Sequence, residues 1–127
     1  MKFDPLVSAG NMLCESITFV VSVAATDFND HIASFSNYGR SVSVSAPGAF
    51  VVSTVPGGRY AAAWGTSFSA PLVSGTVALL VSSYNRGQSG ASQVINTADS
   101  IDAINPGFAN LLGRGRIDAE RALKVRR

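Results

Sequence analysis

The chain has 127 residues, a formal net charge of +2, one cysteine, and 46% apolar against 14% charged residues. That length allows one domain of ordinary size or part of a larger one. A lone Cys14 excludes an internal disulfide and a thiolate metal cluster, and so small a charge gives no case for nucleic acid. Charged residues average about 25% of soluble chains, so the low share here speaks for much buried surface, an incomplete structure or an interface.

The positive charge is unevenly placed: Arg114, Arg116, Arg121, Lys124, Arg126 and Arg127 crowd the C-terminus. Basic residues there complement a helix dipole and aid solubility. No aromatic residues alternate with them to stack on bases. Met1-Lys2-Phe3-Asp4-Pro5 has an acid and a proline where a secretory signal needs an apolar run. Tyr60 to Asn85 carries no charge, yet its dense apolar part runs only from Leu72 to Val81, short of the roughly 20 residues that span a bilayer.

In chain order, Leu6 to Asn11 predicts a short strand closed by a Gly-Asn turn. Phe19 to Ala25 is a continuous apolar run, the pattern of a parallel strand covered on both faces. Thr26 to His31 is polar and turn-like. Ser41 to Ser45 alternates, which predicts a strand with one buried face, broken by Ala46-Pro47-Gly48. Phe50 to Thr54 and Arg59 to Ala63 flank Val55-Pro56-Gly57-Gly58, the signature of a β-hairpin. From Ser67 to Tyr84, small and large apolar residues interleave as in a helix buried on nearly every side. Pro71 then has to fall in its first turn, where a missing N–H is no loss. Gly87 to Gly90 reads as a linker, and Val94, Ile95, Ala98 and Ile101 have helical spacing within Ala91 to Ala103. Asp118 caps a last helix, Ala119 to Val125.

This arrangement seats the Ser67 hydroxyl at the mouth of the longest helix, where free N–H groups and the positive dipole end favour developing negative charge. A serine there is equally an ordinary N-cap. The surrounding string decides between them. Gly65-Thr66-Ser67-Phe68-Ser69-Ala70-Pro71-Leu72-Val73-Ser74-Gly75 resembles the nucleophile motif Gly-Thr-Ser-x-x-x-Pro-x-Val-x-Gly of the subtilisin-like serine proteases. Further stretches resemble that family in the right order: Ser8-Ala9-Gly10-Asn11, Val20 to Asp27, Ile32 to Gly39, Ser45-Ala46-Pro47-Gly48, and Gly113 to Ala119. The likeness covers roughly residues 6 to 123.

The resemblance implies an α/β fold: a partial subtilisin-like domain over residues 1–127, with a mainly parallel sheet, a central buried helix and a hairpin. It implies that Ser67 attacks a peptide carbonyl and that the Asn11 side chain and the Ser67 N–H receive the oxyanion. Ser8, Ala9, Gly10 and Gly65 would lie along the bound peptide. It implies no cofactor and no membrane, and an extracellular location that no signal sequence here supports. Ser43 stands where some family members carry a cation-binding Asp, so no metal is carried over.

The family's triad Asp and His precede the oxyanion Asn. Asp4 lacks the surrounding Asp-Ser/Thr-Gly context, no His-Gly-Thr-His string occurs, and His31 falls where the family has a surface turn. Met12 to Thr18 is also shorter than the family's excursion to the floor of its specificity pocket. The expectation is a nucleophile-bearing C-terminal portion, a poor protease alone, with a complementing N-terminal half or self-association covering one helix face and one sheet edge. The alternative is a non-catalytic relic that binds extended peptides.

Overall fold

The computed structural model describes residues 20–84 and 87–125. The strand expected at Leu6 to Asn11, and with it Ser8, Ala9, Gly10 and Asn11, lies outside the described residues.

Two strands form the parallel pair: β1 (Val23–Thr26) and β2 (Val44–Pro47), with Val23 opposite Val44 and Thr26 opposite Pro47. The strand is shorter than the apolar run: it starts at Val23 and Val20 is 42% exposed, while Ala24, Ala25 and Thr26 are almost wholly buried, as a strand covered on both faces requires. β2 departs from the alternating expectation. It starts at Val44, and Val44, Ser45 and Ala46 are all buried. The returning C-terminal segment covers the would-be polar face. Ser45 N–H donates to the Gly115 carbonyl (2.7 Å), and Ile117 N–H donates to that of Ser45 (2.9 Å). The Ser45 hydroxyl donates to the Leu112 carbonyl at 2.8 Å. Nor does Ala46-Pro47 break the strand: Pro47 is its last residue, a place where proline is tolerated.

The hairpin forms as expected, with β3 (Val51–Val55) antiparallel to β4 (Arg59–Ala63). Its turn uses Gly57 and Gly58 at φ of 87° and 69°, values that most residues resist.

Helix α1 (Thr66–Tyr84) packs on β1, β2 and the two later helices, α2 (Gly87–Asn96) and α3 (Ala119–Lys124). Its buried residues Ser69, Val73, Thr76 and Leu80 form one stripe at spacings of four, three and four. Burial on nearly every side does not hold within this chain: Leu72, Leu79 and Val81 are 39%, 51% and 40% exposed. The described elements reach only one flank of the helix. Pro71 is also not in the first turn. It is the sixth residue of α1, where it forgoes the backbone bond to the Ser67 carbonyl.

Helix α2 begins at Gly87 rather than Ala91 and ends at Asn96 rather than Ala103. Gly90 is buried against α1, its missing Cβ falling 3.5 Å from a Val77 methyl, so the supposed linker is helix. Beyond Thr97 the chain is drawn off the helix by a pair of bonds between Asp99 and Arg116, both 2.8 Å. A turn of 3-10 helix (Pro106–Phe108) follows. Asp118 caps α3 as expected, accepting Arg121 N–H at 2.8 Å.

One buried cluster joins Val44, Ala46, Val73, Leu80, Val94, Ile117 and Ala122; a second joins Ala24, Val42, Ile101 and Leu112. Among the described basic residues of the C-terminal segment, Arg116, Arg121 and Lys124 form ion pairs, Lys124 with Glu120. Arg116 pairs with Asp30 (2.7 Å) and Asp99 (3.4 Å), and Arg121 pairs with Asp99 (2.6 Å).

Candidate active site

Parallel strands present their carboxyl ends to one edge of a sheet, the place where open α/β folds put their chemistry. Thr26 and Pro47 are the last residues of β1 and β2. A relay of main-chain bonds fixes the mouth of α1 there. Gly48 N–H donates to the Thr26 carbonyl (2.8 Å), Gly65 N–H to Gly48 (2.8 Å), and Phe68 N–H to Gly65 (3.0 Å). Gly65 has φ of 146°, a conformation only glycine holds cheaply, and it lets β4 turn directly into the helix.

Ser67, the second residue of α1, is exposed. Its side chain therefore stands in solvent at the positive end of a nineteen-residue helix. The first turn of that helix holds no acidic residue to compete with an incoming anion. Beneath it the packing is tight. A Cβ on Gly48 would lie 2.3 Å from the Ser69 hydroxyl, 2.6 Å from the Ala25 Cβ and 3.0 Å from the Gly65 carbonyl. The Ala-Pro-Gly turn was legible as a turn; that its glycine is the floor on which the turn before Ser67 rests depends on contacts between remote segments. The hydroxyls of Ser69 and Thr26 are both buried there without a hydrogen-bond partner among the described residues.

His31, the one histidine of the chain, sits in a polar turn closed by Asp27. The Asp27 Oδ1 accepts the backbone N–H of Asn29 (2.8 Å) and of His31 (3.0 Å). The imidazole Nδ1 is 3.9 Å from Asp27 Oδ2, and the ring is 58% exposed. This is the surface turn that the sequence led us to expect. No group of three or more metal-ligating side chains occurs among the described residues. Asn11, Ser8, Ala9 and Gly10 cannot be placed beside Ser67, because they lie outside the described residues.

A parallel pair, a glycine turn and an exposed serine opening a long helix meet at one edge of an α/β fold. The comparisons say which family this is. A sequence model of the subtilase family matches residues 6–115, and the chain belongs to that family. It is 38% identical over 104 residues to thermitase from Thermoactinomyces vulgaris, covering 82% of this chain and 36% of that protein. It is 38% identical over 128 residues to subtilisin Savinase from Lederbergia lenta, covering 94% of this chain and 45% of that protein. Among solved structures, a protease from Pseudoalteromonas arctica superposes with a TM-score of 0.73 at 30% identity, covering 84% of this chain and 35% of that one. MycP1 from Mycobacterium smegmatis gives 0.74 at 28% identity, covering 85% and 30%. The chain thus spans less than half the length of each of these relatives.

Proposed function

We propose that this chain is the nucleophile-bearing part of a subtilisin-like serine endopeptidase, cleaving peptide bonds through an acyl-enzyme on Ser67. The observation that carries this reading is the exposure of Ser67 at the mouth of α1, inside the Gly65–Gly75 motif and at the carboxyl edge of the parallel pair. In the reaction the Ser67 oxygen attacks the substrate carbonyl while a general base takes its proton. The backbone N–H of Ser67 and the Asn11 amide then donate to the oxyanion. The leaving amine takes the proton back, and water repeats the sequence to free the acid. Ser8, Ala9, Gly10 and Gly65 bind the extended peptide through main-chain bonds.

The base and its orienting carboxylate are supplied from outside this sequence, as the seating of His31 against Asp27 in an exposed turn supports. The exposed Leu79 and Val81 in the last turns of α1 support a complementing N-terminal portion, or failing that a second copy, as the cover for that end of the helix. The second reading, a non-catalytic peptide-binding relic, is favoured by the same placement of His31.

Labelling with a fluorophosphonate, which reports an activated serine, separates the two. The chain alone is expected to stay unlabelled. Mixed with the N-terminal portion of a close subtilase relative, it is expected to label at Ser67, with Ser67→Ala abolishing the signal. Labelling of the lone chain would overturn the missing base, and no labelling in a demonstrably formed complex would leave the relic.

A further inference from the structure

A concave feature opens beside α1. Leu72 lies five residues beyond Ser67, about 140° further around an ideal helix. It lines a cavity of about 490 Å³ together with Phe28, Phe50 and Val51, within the usual range of about 300–1,000 Å³ for ligand sites. Its rim carries Asp27, Asp30 and Arg116.

Three observations set this cavity apart from ordinary surface. Two phenyl rings stand out into solvent, Phe28 at 77% and Phe50 at 61% exposed. Phe50 adopts φ of 57°, a left-handed conformation costly for a bulky residue. A turn between β2 and β3 would take glycine or asparagine there more cheaply. Its ring is braced edge-to-face against Trp64, with centroids 4.6 Å apart. The fold thus holds an aromatic outward in a place where sterics argue against one.

The charge on the rim is unequally satisfied. Arg116 Nε meets Asp30 at 2.7 Å and its guanidinium also reaches Asp99, so Asp30 is answered from within the protein. Asp27 spends Oδ1 on two backbone N–H groups, while among the described residues Oδ2 meets the His31 imidazole alone, at 3.9 Å. A carboxylate oxygen beside aromatic faces and an aliphatic wall suits a long side chain with an apolar stem and a cationic head.

We infer that this cavity is an exosite, separate from the scissile-bond cleft, that takes a basic side chain, arginine above all, from a peptide or protein. The stem lies on Phe28, Phe50 and Leu72, and the guanidinium meets Asp27. The site does not depend on Ser67 being a nucleophile.

Trp64 is the only tryptophan of the chain and touches Phe50, so its emission reports on the cavity. The test titrates the full chain with acetyl-Leu-Arg-amide, acetyl-Leu-citrulline-amide and acetyl-Leu-Glu-amide. The arginine peptide is expected to bind saturably and about fivefold more tightly than its uncharged citrulline isostere, the size of an exposed ion pair. The glutamate peptide is expected to bind weakest. Asp27→Asn keeps an acceptor for Asn29 and His31 while removing the charge, and it is expected to erase the arginine preference. Phe28→Ala, at an exposed position, weakens all three peptides, and Ser67→Ala changes none. Equal affinity for all three peptides, an undiminished preference in Asp27→Asn, or a Trp64 signal that follows protein concentration alone (a second copy in the cavity) would each overturn the proposal.

Discussion

The parallel pair with α1 and the β3–β4 hairpin are built from similar residues and end in opposite states. In the first, small residues serve contact: Ala24, Ala25, Ala46 and Ser69 are buried so closely that Gly48 tolerates no side chain. In the second, Val52, Ser53 and Thr54 face Tyr60, Ala61 and Ala62 across the ladder, and all six are exposed. The hairpin is held by its ladder and its turn; the pair and helix are held by burial. A two-stranded ribbon is marginal by itself, so the packed nucleus has to supply most of the stability in this chain. Ser67 stands at the junction, on the end of α1 that β4 enters through Gly65.

Truncation gives the largest contrast between the two regions. Leu80→Ala, at a wholly buried position, is expected to lower unfolding free energy by about 2–5 kcal/mol. Val52→Ala, at 67% exposure, should stay within about 0.5 kcal/mol; urea titration of both variants measures the difference. Comparable losses would mean that the hairpin carries core energy after all. Ser69→Ala sharpens the comparison from the other side. Its buried hydroxyl has no partner among the described residues, so removing it is expected to raise stability by about 1 kcal/mol, seen as a higher melting temperature. A loss there would show that the hydroxyl is satisfied, for instance by a trapped water. Outside both regions, Asp118→Ala removes the cap of α3 and should cost about 1 kcal/mol, while Asp118→Asn, still an acceptor, should cost less.

The elements best read from sequence are those whose causes are local. The hairpin needed only Pro56-Gly57-Gly58 between two strand-forming runs, and it lies where expected. The Asp118 cap needed one carboxylate before a short helix, and it bonds as expected. The start of α1 was set by the Gly65 turn. The misreadings share one origin in remote partners. Ser41 to Ser45 alternates like a half-solvated strand, but residues 112–117 return to cover Ser45. Residues 97–103 carry helical spacing, but Asp99 pairs with Arg116 instead. Gly87 to Gly90 looks like a linker until Gly90 is seen as the close-contact point with α1.

For the candidate site, the Gly65–Gly75 string and the stretches that follow the same order pointed to the family, which the match over residues 6–115 shows, because such a motif keeps particular residues at fixed spacing along one turn and one helix. The sequence of Thr26 to His31 reads as a polar turn, and the resemblance put His31 in a surface turn; the structure shows that turn closed by Asp27 Oδ1, which accepts the His31 N–H. What tertiary structure alone decided is how that turn is held and what surrounds it. The floor provided by Gly48, the open flank of α1 and the aromatic cavity beside Asp27 all depend on segments tens of residues apart meeting in space. Local bonding rules fix the former, and only the packing of the whole chain fixes the latter.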